Sequence, residues 1–222
     1  MQNKIIKTND GSHSIFNPKI NENYHSIHGA IVEAEHVFIR NGFSSANKDK
    51  LNILEVGFGT GLNALLTHQK ALQKSIHVNY HTIELYPVKK ENYSQLNFAK
   101  LIGLEKEDLL ILHNCPWGEN YKIDSYFTFT KNHTSLEEYN TDIKFDIIYF
   151  DAFSPEKQPE IWQKQIFKKM YKYLKDNGFL VTYCAKGVVK RTMKSVGFEI
   201  IILDGPPGKR QMTRANKKIT IY

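Results

Sequence analysis

Three carboxylates stand where apolar runs end, the places at which a strand would hand them to a ligand. Glu55 lies within Leu51-Asn-Ile-Leu-Glu-Val56 and is followed at once by Gly57-Phe-Gly-Thr-Gly61. Glu84 sits near the close of the run 77–85, and Asp151 follows Phe145-Asp-Ile-Ile-Tyr-Phe150. Gly57, Gly59 and Gly61 make a turn that a ligand can approach closely, because no Cβ stands in the way. Their spacing is G-x-G-x-G, neither the dinucleotide G-x-G-x-x-G nor a P-loop. An acid beside such a turn suits a diphosphate poorly and suits a cofactor with cationic parts, such as the ammonium and sulfonium of S-adenosylmethionine. Glu84 falls roughly 20 residues beyond the turn, where a carboxylate accepts from both ribose hydroxyls of a nucleotide. Asp151 emerges at the carboxyl end of a central strand, where the ligand should lie. A plain turn cap before the proline loop is the other reading of Asp151.

Alternating elements hold these groups. A buried strand covers 51–56, and Thr60 can cap a helix that carries Leu62, Leu65, Leu66 and Leu72 on one side. A second strand, 77–85, must stop at Tyr86-Pro87. There follow a helix over 88–102, a strand near 109–113, an alternating strand over 123–130 and a capped helix start at Ser135-Leu-Glu-Glu138. Strand 145–150 leads into the loop 151–159, stiffened by two prolines, and then into a helix over 160–174 ended by Asn177-Gly178. Strand 179–184, a basic helix over 186–196, strand 198–203, a loop over 204–214 and a last strand over 218–222 complete the chain. Residues 1–50 stand apart as an N-terminal extension ahead of a domain over 51–222. The extension has turns at Asp10-Gly11-Ser12 and Asn17-Pro18 and a helix over 28–40. Tyr24-His25-Ser26, just ahead of that helix, is either a lid over the pocket or a capping turn with a packed tyrosine.

Composition sets bounds. The chain has 222 residues, enough for one domain with a sizeable core. Thirty Lys and Arg against twenty-three Asp and Glu leave a net charge of +7, which suits a polyanionic partner, nucleic acid above all, or a merely solvated lysine-rich surface. No apolar run approaches the ~20 residues that span a bilayer, so no membrane partner is expected. The first residues lack a signal-peptide core. Cys115 and Cys184 form no C-x-x-C pair and the nine histidines are scattered. Reduced thiols, a cytoplasmic location, no metal site and a monomer are the expectations.

The order of elements resembles a class I S-adenosylmethionine-dependent methyltransferase: an α/β, Rossmann-like fold whose seven-stranded, mainly parallel sheet carries one final antiparallel strand. Glu55-Val-Gly-Phe-Gly-Thr-Gly-Leu-Asn63, Asp151-Ala-Phe-Ser-Pro-x-Lys-x-Pro-x-x-Trp162 and Gly208-Lys-Arg-Gln-Met212 together resemble the methyltransferase domain of the MnmC family. That resemblance implies methylation of the 5-aminomethyl group of 5-aminomethyl-2-thiouridine at the wobble position of tRNA. It implies a cofactor pocket made by Glu55, Gly57, Phe58, Gly59, Thr60, Gly61, Glu84 and Asp151. Asn132 stands where the family often has an Asp near the adenine, and reads either as an adenine contact or as a turn residue. Asp151 is the implied catalytic group, facing the amine and balancing the ammonium that methylation creates; with an ordinary pKa of ~3.9 it orients the amine rather than taking its proton, unless it is buried. Phe153 would stack on the uracil or pack into its loop, and Lys157 would meet phosphate or hold that loop. Tyr24, Lys190, Arg191, Lys209 and Arg210 are the remaining substrate-side residues. Because the sequence stops at Tyr222 it resembles the stand-alone, MnmD-like form without the flavin oxidase domain, and a separate enzyme is expected to supply the aminomethyluridine. Competing readings are a nicotinamide-dependent oxidoreductase, a non-catalytic RNA-binding protein of the same fold, and a small-molecule amine methyltransferase.

Overall fold

The computed structural model describes residues 2–218. Strands β1 (Lys4–Lys7), β2 (His13–Asn17) and β3 (Glu22–Asn23) form a small antiparallel sheet of their own. Asp10, in the turn between β1 and β2, accepts from Thr8 Oγ1 (2.8 Å) and Ser12 N (3.0 Å) through Oδ1, and from Val32 N (3.0 Å) through Oδ2. It therefore caps helix α1 (Ala30–Ala34) from outside. α1 continues as a wider, π-helical stretch, Glu35–Arg40.

The main sheet begins with β4 (Lys50–Val56), followed by α2 (Leu62–Lys74) and β5 (His77–Ile83). Three short helices come next, α3 (Lys90–Tyr93), α4 (Phe98–Leu101) and α5 (Lys106–Asn114). Then come β6 (Asn120–Lys122), β7 (Phe127–Asn132), β8 (Phe145–Phe150), α6 (Lys164–Tyr173), β9 (Leu174–Thr182), α7 (Gly187–Lys194), β10 (Phe198–Asp204) and β11 (Gln211–Lys217). The strand order is β10-β11-β9-β8-β4-β5-β7-β6. From β10 to β7 this is the expected seven-stranded sheet, in which β11 alone runs against its neighbours, and β6 adds a short antiparallel edge.

Alternation along the central strands divides the core. Ile53, Ile147 and Tyr149 face α2, α5 and the helix of the extension, while Leu54, Ile148 and Phe150 face α6 and α7. Asp146 is buried at the opposite end of β8 from the glycine turn, accepting from Lys48 Nζ (2.6 Å), Lys175 Nζ (2.8 Å) and Asn52 N (2.9 Å). Burial pushes its carboxyl up, but these donors hold it below the usual range.

Several sequence expectations are corrected. Residues 109–113 belong to helix α5, whose Leu109 and Leu112 are buried one turn apart; a short apolar run does not distinguish a strand from a helix. The helix expected over 88–102 is broken in two, and Asn97 between the halves ties to the extension through His13 N (2.8 Å) and Gly11 O (3.0 Å). At Ser135 the hydroxyl accepts from Glu138 N (3.2 Å), yet the chain makes a single turn there, not a helix. The helix over 160–174 starts later, after a 3-10 turn Pro159–Trp162. Asn177-Gly178 lies inside β9, with Asn177 at φ 62°. The loop 204–214 turns into β11 at Gln211. The strand placed at 218–222 lies outside the described residues, except for Lys218.

Candidate active site

The carboxyl ends of β4, β5 and β8 are tied together by backbone. Gly57 N donates to Ile83 O (3.0 Å) and Asp151 N donates to Val56 O (3.0 Å). Gly57 has φ +91°, and a Cβ there would stand 2.5 Å from Asp151 O, so the close approach of the two strand ends requires glycine. Above this seam opens a cavity of about 1310 Å³. Gly57, Phe58, Gly59, Thr60, Glu84, Asp151, Phe153, Tyr24, Lys157 and Lys209 all line it.

Glu84 is clamped by the turn it faces. Its Oε2 accepts from Gly59 N (2.9 Å) and its Oε1 from Tyr86 N (2.7 Å). Burial raises the carboxyl above its ordinary range while these N–H groups oppose the rise. A carboxylate has about four lone-pair sites, so each oxygen keeps capacity for one more donor. Asp151 is held by Asn63, whose Nδ2 donates to Oδ2 at 2.7 Å. Burial lifts its pKa to about 7; the Asn63 hydrogen bond and Lys209 oppose the rise and Glu33 adds to it.

The extension closes one wall. The ring of Tyr24 meets that of Phe153 edge to face, centroids 5.0 Å apart, and lies 3.1 Å from where a Cβ of Gly59 would be. Burial, and then the charge of Glu84, push the Tyr24 hydroxyl up to about 12. His25 Nε2 is hydrogen-bonded to Thr60 Oγ1 (2.7 Å), and burial lowers its pKa to about 4, so the ring is neutral at pH 7. Thr60 therefore spends its hydroxyl on the extension and does not cap α2; the cap position is Gly61, at φ 78°. Lys209 pairs with Glu33 and lies 3.9 Å over the ring of Tyr183.

Other expected residues lie elsewhere. Glu55 is 0% exposed and does not line the cavity. Strand alternation turns it to the α2 face, beside Thr82 and Tyr80, where burial pushes its carboxyl well above the usual range. Asn132 is also outside the lining, its Nδ2 donating to Thr82 O (3.0 Å) instead of reaching an adenine; Thr134, Ser135 and Leu136 line that side. Gly61 supports the turn from beneath, against Phe58 and His113. Lys190 and Arg191 sit on α7 and Arg210 on an exposed loop, none of them in the cavity wall. Conversely, Asn63, Glu33 and Tyr183 line the cavity without having been singled out for it, while His25 and Ser26 line it beside Tyr24. Asn63 had a signal, its place at the end of the glycine phrase; Glu33 had none beyond a helical pattern.

Carboxylates outnumber lysines along the wall, which favours a cationic ligand inside a chain of net charge +7. Among the described residues no group of three His, Cys, Asp or Glu comes together to hold a metal ion, and no helix is long and apolar enough to cross a membrane. Cys115 and Cys184 are both buried and free.

Residues 119–218 match the model of a family described as S-adenosyl-L-methionine-dependent methyltransferase. Over 95% of its length the chain is 30% identical to the tRNA 5-methylaminomethyl-2-thiouridine biosynthesis bifunctional protein MnmC of Cupriavidus metallidurans, of which it covers 33%. For the protein of the same name from Cupriavidus necator the identity is 31% over 90% of the chain and 32% of the relative. The chain thus spans about one third of the length of the curated relatives it matches. The crystal structure of MnmC2 from Aquifex aeolicus superposes with a TM-score of 0.80 at 24% identity, covering 99% of this chain and 72% of that one. Spermidine synthase from Thermotoga maritima superposes with 0.58 at 14% identity, covering 99% and 73%. These structures share the fold.

Proposed function

We propose that this chain, a relative of the MnmC proteins that carries the methyltransferase fold, uses S-adenosylmethionine to methylate the 5-aminomethyl group of 5-aminomethyl-2-thiouridine at the wobble position of tRNA. The observation that carries the reading is Asp151: a carboxyl at the end of β8, on the cavity, held by Asn63 and raised by burial to about 7. The residues present fit the cofactor. Glu84 has acceptor capacity left at the end of β5, Gly57 and Gly59 of the turn line the cavity beside it, and the wall is rich in carboxylates. Bound there, S-adenosylmethionine supplies an electrophilic methyl group on a sulfonium.

The chain's own groups do the rest. Glu84 accepts from the ribose hydroxyls. Asp151 accepts a hydrogen bond from the acceptor nitrogen and fixes its lone pair, a positioning effect worth roughly 7–11 kcal/mol where alignment is good. An ordinary aspartate is too acidic to take an amine proton and would only orient the nitrogen. At about 7 it is a far better proton acceptor, so it both orients the nitrogen and receives the proton the nitrogen sheds. Tyr24 and Phe153 form an aromatic edge at the cavity where a uracil would stack, and the extension over 1–50 serves as a lid through Tyr24 and His25.

Incubation of the protein with tRNA bearing 5-aminomethyl-2-thiouridine and labelled cofactor, followed by mass analysis of the nucleosides, should show one methyl added to that nucleoside. The carboxylate-rich wall would also receive a small polyamine. Transfer to spermidine but not to tRNA would replace the tRNA reading with that one.

A further inference from the structure

We propose that Glu33 and Asn63 complete, with Asp151, the subsite that receives the acceptor's amine, and that Lys209 is the counter-ion that holds Glu33 there. The proposal rests on the methyltransferase reading above and adds to it how the acceptor is selected.

Glu33 lies on α1 in the extension, and its side chain is 12% exposed. Its Oε2 accepts from Ser26 N (3.1 Å) and its Oε1 from Lys209 Nζ. Lys209 in turn rests on the ring of Tyr183, whose hydroxyl donates to Ala152 O (2.9 Å), the residue after Asp151. A chain of contacts therefore runs from the backbone beside Asp151 to Glu33, and all its side chains line the same cavity. Asn63 closes the other side. It is 3% exposed, its Nδ2 is spent on Asp151, and its Oδ1, which is buried, has no hydrogen-bond partner among the described residues. Asn63 thus holds the Asp151 carboxyl in place on the cavity wall, while the carboxyl groups of Asp151 and Glu33 are the acceptors offered to a primary amine. Two carboxylates on one wall also disfavour an acceptor that ends in a carboxylate, because Glu33 and Asp151 repel it.

The groups facing Asp151 are Asn63 from α2, Glu33 from α1, Lys209 from the loop between β10 and β11, Glu55 from β4, Tyr80 from β5 and Tyr183 beyond β9. The charge of Glu33 raises the pKa of Asp151, so removing it moves the acidic limb of kcat/KM to lower pH.

The test compares the parent with Glu33→Gln, which keeps an acceptor for Ser26 N, on tRNA bearing an aminomethyl or a carboxymethylaminomethyl uridine. The expected result is a KM for the aminomethyl tRNA raised about tenfold with kcat little changed. Discrimination against the carboxylate-bearing tRNA should fall about tenfold, on the order of 1.4 kcal/mol, and the acidic limb should move down. Lys209→Met should give a KM change of the same sign, and unchanged melting temperatures would show that the fold is intact. A parent that methylates tRNA while Glu33→Gln keeps its KM, discrimination and pH limb overturns the subsite alone. A parent that methylates neither tRNA overturns the function and the subsite with it.

Discussion

Replacing Asp151 by Asn is the most exacting test of the proposed chemistry. The substitution keeps the size and one acceptor oxygen, which can still receive Asn63 Nδ2, now at 2.7 Å from Asp151 Oδ2. It removes the negative charge and the proton-accepting capacity. Burial holds Asp151 at about 7 against an ordinary 3.8, so ionising it costs on the order of 4 kcal/mol in the ligand-free pocket. A sulfonium and an incoming amine would offset that cost. Loss of one such contact in a transition state commonly costs about 100-fold or more in rate, roughly 2.7 kcal/mol. Single-turnover methylation with both substrates saturating should fall by at least that much, while cofactor and tRNA affinities hold. The same burial makes a stability statement. A carboxyl whose folded pKa lies above its unfolded value lowers stability as pH rises from about 4 to about 7. The Asn variant escapes that loss, so its melting temperature should overtake the parent's progressively across that range. A rate within about threefold of the parent, roughly 0.6 kcal/mol, would refute the catalytic assignment. A melting-temperature difference independent of pH would refute the buried, raised carboxyl.

Glu84→Ala removes the acceptor of the ribose hydroxyls and frees Gly59 N and Tyr86 N; charge-assisted hydrogen bonds are worth about 1.5–3 kcal/mol each, so calorimetry should show at least tenfold weaker binding of S-adenosylmethionine, and an unchanged Kd would remove Glu84 from the pocket. Reversing Lys190 and Arg191 to Glu on α7, away from the cavity wall, should weaken tRNA binding and flatten its salt dependence with cofactor affinity unaltered; equal salt slopes would leave α7 a solvated face.

The central strands, the glycine turn and the carboxylates that end β5 and β8 are legible in the sequence. Those features are local: uninterrupted apolar runs, residues that tolerate positive φ, and charge placed where a buried strand stops. The alternation of strands and helices points to an α/β fold with a mainly parallel sheet, whereas the order of the strands is set by their pairing across the sheet. Tertiary structure alone decided the rest, because it depends on partners far along the chain. Leu109–His113 is helical because it packs one face on α2, which no short apolar run reveals. Thr60 bonds His25 across 35 residues instead of capping its own helix. Glu55 and Asn132 have the composition of cofactor ligands, yet one is turned beneath α2 and the other onto Thr82. Glu33 and Lys209, 176 residues apart, meet beside Asp151 only because the extension folds over the carboxyl edge of the sheet. Burial is also what raises the proton affinity of Asp151, with the charge of Glu33 adding to it. Desolvation is a property of everything packed around a group, and no spacing of residues along the chain encodes it.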